Sequence, residues 1–226
     1  MKFKFFLFFL LLFIISCQPP SEKQKIEEGT IEYEITYIEK NTSNYLSALL
    51  PGKMTLKFNS DNCMNEIEGF FSLFSITNYI DSKKHKSTTI LKFFSKKYIY
   101  EGKKNEYSCC FDDFSGIEIE YVNETKQIAG LECKKAIVHF PNSRKESFVI
   151  YYTTDIQIDD PNWANPYQMI DGVLMEFQLK LGSINMKLIA KEVIENKIFD
   201  TDFDIPLNNE KISRKKMENI LDKLVE

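Results

Sequence analysis

From Thr30 the chain alternates between apolar and polar positions. Ile31, Tyr33, Ile35 and Tyr37 share one face of an extended segment; Glu32, Glu34 and Thr36 share the other. A period of two marks a half-buried β-strand, because successive side chains leave the pleat on opposite sides. Met54, Leu56 and Phe58 repeat the pattern after a Pro51-Gly52 turn signal. The same reading predicts strands over Thr88–Phe94, Lys97–Glu101, Ile117–Val122, Cys133–Phe140, Phe148–Thr154, Val173–Leu181 and Ile184–Ile194. Turn residues separate them at Gly102-Lys103, Asn123-Glu124, Pro141-Asn142 and Gly182-Ser183, the last closing the clearest hairpin.

Two stretches depart from this period. Gly69–Ile80 carries Phe70, Phe71, Leu73, Phe74, Ile76, Tyr79 and Ile80, and reads either as a helix or as a loop followed by a buried strand. At the carboxyl end Ser213 is a candidate N-cap, and Met217, Ile220, Leu221 and Leu224 fall on one helical face after the Ile205-Pro206 break. The expected fold class is therefore mainly β (α+β). It has many antiparallel strands, a C-terminal helix, and one internal helix if Gly69–Ile80 takes that form. A sheet that large must curl, split or close. A curved half-barrel with helices on its concave side satisfies this, and no linker divides residues 29–226.

The first residues are not part of that pattern. Lys2 and Lys4 precede an unbroken apolar run, Phe5–Ile15. A bilayer-spanning helix needs roughly 20 apolar residues, so the run is a signal peptide rather than a permanent span. Its boundary, Ile14-Ile15-Ser16-Cys17, resembles a bacterial lipobox. The resemblance implies cleavage between Ser16 and Cys17, with residues 1–16 removed and Cys17 carrying a diacylglyceryl thioether and an acylated amine. The residue types suit that chemistry: a thiolate is the nucleophile that takes the glyceride, and Ser16 is small. One acyl chain holds a protein only marginally, whereas several on one residue hold it permanently. Residues 17–28, with Pro19-Pro20 and a charged remainder, read as a tether. Gln18, and the lack of an acidic run after Cys17, place the expected anchor in the outer membrane facing the periplasm.

Charge narrows the function classes. The chain has 29 basic and 33 acidic residues, a formal net charge of -4, which disfavours a phosphate-neutralising nucleic-acid binder. Besides Cys17 there are Cys63, Cys109, Cys110 and Cys133. Disulfides persist in an exported chain. Adjacent Cys109 and Cys110 do not easily bond each other, so Cys133 is expected to pair with one of them. The alternative is that these are free, buried thiols acting as small hydrophobes. No metal site is expected: Cys133 and His139 would stand about 20 Å apart on a strand, and no Cys-x-x-Cys spacing occurs. No catalytic residues and no cofactor are expected either. There are two His, no Gly-x-Ser-x-Gly, and the acidic pairs Asp112-Asp113 and Asp159-Asp160 read as solvated loop charges. The basic runs Lys83-Lys84-His85-Lys86 and Arg214-Lys215-Lys216 read as a solvated loop and a polar helix face, with anionic headgroups as the alternative contact.

Aromatic residues are the remaining signal. Phe70, Phe71 and Phe74, with Trp163 and Met169 from a Pro-broken loop over Asp159–Ile170, either fill a closed core or line a concavity suited to an apolar ligand. Four segments bear on this. Gln127–Ala136 (QIAGLECKKA) resembles an I-x-G-x-x-C-x-K-A motif. Tyr151–Asp155 (YYTTD) resembles the strand that follows it, Asp171–Leu179 (DGVLMEFQL) a G-x-P-L-E element, and Phe203–Pro206 (FDIP) an F-x-I-P element. Gln178 precedes Leu179 where that element has Pro. Together these resemble the LolA-like domains of Bacteroidota lipoproteins and, more loosely, the GLPGLI family. The resemblance implies a half-barrel whose apolar hollow holds a lipid or an apolar segment of a lipoprotein. It carries over no catalytic residue. The expectation is a membrane-anchored, non-enzymatic binder of an amphiphile, or else an interaction protein of the envelope with a filled core and an unidentified partner.

Overall fold

The computed structural model describes residues 24–38, 50–69, 73–110, 114, 116–141, 145–182 and 184–225. The expected leader 1–16, the lipidation and cleavage positions Cys17 and Ser16, Phe70, Phe71 and the Asp112-Asp113 pair lie outside the described residues. The strands are β1 (Gly29–Tyr37), β2 (Lys53–Phe58), β3 (Asn62–Glu68), β4 (Phe74–Asp81), β5 (Lys86–Phe93), β6 (Lys96–Glu101), β7 (Glu118–Ile128), β8 (Leu131–His139), β9 (Phe148–Thr153), β10 (Val173–Leu181), β11 (Ile184–Ile194) and β12 (Glu210–Lys211). One α-helix follows, α1 (Arg214–Val225). Among the described residues no helix is long and apolar enough to cross a membrane.

All twelve strands form one sheet in the order β12-β6-β5-β4-β3-β2-β1-β11-β10-β9-β8-β7. The chain meanders from β1 out to β6, crosses to the far edge at β7, and meanders back to β11 beside β1. Every pairing is antiparallel except β12 on β6. Register converts the alternation of each strand into rows. Tyr33, Met54, Ile67, Ile76, Leu91 and Tyr98 are successive cross-strand neighbours over six strands, and all are buried. Burying a side chain of this size contributes about 1.5–3 kcal/mol, so a one-residue slip, which would turn the whole row to solvent, is strongly disfavoured.

The helix starts where the cap residue predicts. The Lys216 amide donates to Ser213 Oγ at 3.3 Å. Met217 and Leu221 are fully buried and join the core that contains Leu91 and Tyr98, so α1 packs on the concave side. The Arg214 guanidinium donates to the carbonyls of Tyr107 (2.9 Å) and Ser108 (3.3 Å), tying α1 to the β6–β7 crossover.

One open reading is decided and one expectation changes. Among its described residues Gly69–Ile80 contains no helix; from Phe74 it is β4, the buried-strand alternative, paired residue by residue with β3 and β5. Two flanking ladders satisfy its backbone better than an isolated helical turn, and its Ile76, Thr77 and Ile80 favour the pleat. The fold also begins before residue 29. The Ile26 amide donates to Asp155 O (2.9 Å) and its carbonyl accepts from Gln157 (2.8 Å), so the end of the expected tether is fixed to the domain.

Candidate functional site

The segment between β9 and β10, residues 154–172, does not cross the surface as a loose rim. Pro161 and Pro166 exclude a further strand, and Asn165 accepts the Tyr167 amide in an Asx turn at 2.8 Å. The segment folds into successive turns that fill the sheet's hollow. Tyr167 is fully buried; its hydroxyl donates to Gln178 O at 2.6 Å and its ring meets Phe177 edge-on at 6.3 Å. Asn162 Nδ2 donates to the carbonyls of Ile170 and Gly172, both at 2.8 Å, closing the plug on itself. Its neck is tight: a Cβ at Gly172 would stand 2.6 Å from Thr153 O. At its outer end the Asp159 amide donates to Ser60 O, and Trp163 stacks on His85 at 5.0 Å. The Ser108 amide donates to Ala164 O, linking the plug to the β6–β7 crossover.

Between plug and sheet remains a narrow cleft of about 70 Å³, walled by Tyr33, Met54 and Ile67 from the sheet, Ile158 and Tyr167 from the plug, and Phe177 from β10. A water needs roughly 10–15 Å³ by this measure, so the cleft takes a few waters or a short apolar group. Its polar lining is Asn162 and Asn165 from the plug and, from the sheet, Asn65, the start of a ladder in which Asn78 Nδ2 donates to Asn65 Oδ1 (2.9 Å) and Thr89 Oγ1 donates to Asn78 Oδ1 (2.7 Å). The Cys109 amide ends the ladder on Thr89 Oγ1 at 3.3 Å. The ladder's side chains thereby satisfy one another, which is why polar residues sit in an otherwise apolar face.

The residues singled out from the sequence are elsewhere. Phe74 stands half-buried at the start of β4, Trp163 is buried against His85, and Met169 is half-exposed. None of these three lines the cleft. The loop's Pro and Asx turns point Met169 outward, and its carbonyl accepts the Tyr121 hydroxyl. The lining residues that aromatic clustering missed, Tyr33 and Met54, were visible as inward positions of the strand period.

The expected Cys133 pairing does not form, while the alternative of free, buried thiols holds for Cys63 and Cys133. Cys109 and Cys110 are joined to each other, whereas Cys63 and Cys133 are free and buried. Cys133 sits inside the core from β8 and its thiol donates to Leu131 O at 3.5 Å, so it bridges neither member of the pair. Cys110 takes a left-handed backbone, φ 78°, which lets the turn fold back on its neighbour. Burial pushes the Cys63 thiol up to about 12 and the Cys133 thiol up to about 11, so neither is a nucleophile at neutral pH.

One line of chemistry-bearing groups went unread in the sequence. His139 contacts Ser147 Oγ through Nδ1 (2.9 Å) and Glu120 through Nε2 (2.7 Å). All three side chains are solvent-accessible, and the cleft lies elsewhere. Among the described residues nothing encloses the three groups, and they form a surface hydrogen-bond line between β7, β8 and the segment before β9. Among the described residues no group of three or more His, Cys, Asp and Glu is placed to hold a metal ion.

Among the described residues the most buried carboxylate, Glu176, is structural. Glu176 on β10 accepts from Lys126 (2.7 Å) and Lys187 (2.6 Å), linking β7 and β11 across the strands between them. Burial pushes its carboxyl up, but the two lysines outweigh this and hold it below its ordinary 4.5. A depressed folded-state value adds stability that is complete above 4.5 and is lost as the pH falls through the folded value. Glu176→Gln is expected to cost about 1–2 kcal/mol at neutral pH, since both lysines are half-exposed, and to flatten the acid limb of a urea-midpoint-versus-pH curve. An unchanged acid limb would remove Glu176 from the acid response.

No family model matches the chain, and no curated protein matches it. Among solved structures it is similar to PNGF-II in two crystal forms, each at 14% identity and TM-score 0.54, over 86% of this chain. The chain spans about a third of the PNGF-II chains, 33% and 32%. An uncharacterised conserved protein from Thermus thermophilus matches at 8% identity and TM-score 0.43, over 85% of this chain and 93% of that one. At such identities the PNGF-II likeness is one of fold: an open, curled, antiparallel-rich sheet.

Proposed function

We propose that this is a lipid-anchored, non-enzymatic protein of the bacterial envelope, a LolA-like shell whose hollow is filled by its own chain and which works by surface contact. The observation that carries this reading is the plug. Trp163, Ala164, Tyr167 and Ile170 occupy the concave side and are buried there. The anchor rests on the lipobox-like Ile14–Cys17 and on the outer-membrane, periplasm-facing reading of Gln18. A second reading is favoured by the cleft. Its walls are largely apolar and it opens to solvent, so displacement of the plug would give an amphiphile a site with the Asn65 amide at its side. Native mass spectrometry of the detergent-extracted protein separates the two. The first predicts the mass of the lipidated chain alone, unchanged after incubation with phospholipid; a retained stoichiometric phospholipid would replace it with the second.

A further inference from the structure

The end of the sheet remote from the plug carries a patch that the filled core leaves unexplained. At the β5–β6 hairpin, Phe94 is 56% exposed and holds a left-handed backbone, φ 53°, rare for a bulky residue. Its amide donates to Leu73 O at 2.6 Å, so the strained turn is tied down rather than loose. Phe93 packs edge-on against it at 4.7 Å, and Leu73 beside them is 42% exposed. Lys92, Lys96 and Lys97 surround these apolar tips, and none has a carboxylate partner among the described residues. The acidic groups nearest in register are Glu68, one strand removed from Lys92 in its cross-strand row, and Glu210, which pairs with Tyr98 beside Lys97 and is engaged by Lys216 at 2.8 Å.

We propose that this hairpin end is a docking surface for an anionic lipid surface. It deepens the surface-contact reading above by naming what is contacted. Apolar tips among three lysines that have no carboxylate partner among the described residues match the interface of a bilayer, where aromatic side chains sit at headgroup level and cations meet phosphates. Exposed apolar tips among lysines suit a fluid anionic surface, which conforms to them, better than a rigid protein partner needing shape complementarity. Ile26 is fixed at the opposite end of the sheet, where Gly29 meets Phe58, and the stretch from Cys17 to Ile26 reaches at most about 30 Å. This is about the length of an eight-residue strand such as β4, so an extended tether beside the domain lets the hairpin end meet the bilayer.

The test uses the mature chain from residue 18, which keeps every described residue but no acyl group, sedimented with vesicles of phosphatidylcholine alone or with 30% phosphatidylglycerol. Partition into the anionic vesicles is expected to exceed that into neutral ones at least tenfold and to collapse in high salt. Each of Lys92→Gln, Lys96→Gln and Lys97→Gln should lower it roughly fivefold. Phe94→Ser should lower it in both vesicle types, with an unchanged circular dichroism spectrum confirming the fold. Equal partition into both vesicle types, or a triple lysine variant that binds as the parent does, overturns the proposal. Selective binding to a protein in place of lipid overturns it as well. A retained phospholipid in the mass spectrum would sink the filled-core reading but not this one, so the two failures are distinguishable.

Discussion

Replacing Cys17 by alanine is expected to abolish incorporation of an alkyne fatty acid into the protein, the largest single effect foreseen. Cys17 offers the only thiol within the first 62 residues, and thioether formation requires it. Each buried methylene is worth about 0.8 kcal/mol, so three chains exceed any interaction the folded surface can make with a bilayer. The label should fall to background. Phase separation in Triton X-114 gives a second readout: the native protein should enter the detergent phase, and the chain from residue 18 the aqueous phase. Labelling that survives Cys17→Ala would remove the anchor, and with it the envelope reading.

The second large effect concerns the plug. Tyr167→Ala is expected to destabilise the protein by about 3–5 kcal/mol, the usual cost of deleting a fully buried aromatic side chain. For a domain of this size that corresponds to a Tm lowered by roughly 10 °C. Two losses combine: the ring leaves a cavity between Phe114 and Phe177, and Gln178 O loses its donor. Tyr167→Phe separates them, because it keeps the ring and should cost only about 1 kcal/mol. If Tyr167→Ala melted within about 2 °C of the parent, residues 154–172 would be a detachable lid rather than part of the core, and the amphiphile-binding reading would gain.

These two effects depend on different kinds of information. Cys17 is readable locally, since a short apolar run and the residues at its boundary are a linear pattern. The plug is not. Its aromatic and Pro content marked it as unusual, yet nothing in Asp159–Ile170 says whether Trp163 and Tyr167 face inward or out. That orientation comes from partners far away in the chain, His85, Ser108 and Gln178. β3 was missed, and β4 left open, for a related reason. Asn65 and Asn78 occupy inward positions and spoil the apolar alternation, and the hydrogen bonds they make with each other and with Thr89 render such positions tolerable.

The disulfide shows the same division. Spacing made a bond between neighbours the least expected pairing, but the turn geometry at Cys110 brings the two sulfurs together while Cys133 is carried into the core by β8.

What the amino-acid order determined by itself was periodicity: where most strands run, which face each turns inward, the capped terminal helix, and an amino-terminal pattern that resembles a lipoprotein signal. These depend on residues within a few positions of one another. What only the tertiary structure decided was closure: the row from Tyr33 to Tyr98, the plug in the hollow, and the convergence of Phe94 and Leu73 with three lysines at one end. Contacts of that kind join residues far apart in the chain, as the pairing of β1 with β11 does. Their energies depend on register and packing, which no local pattern encodes.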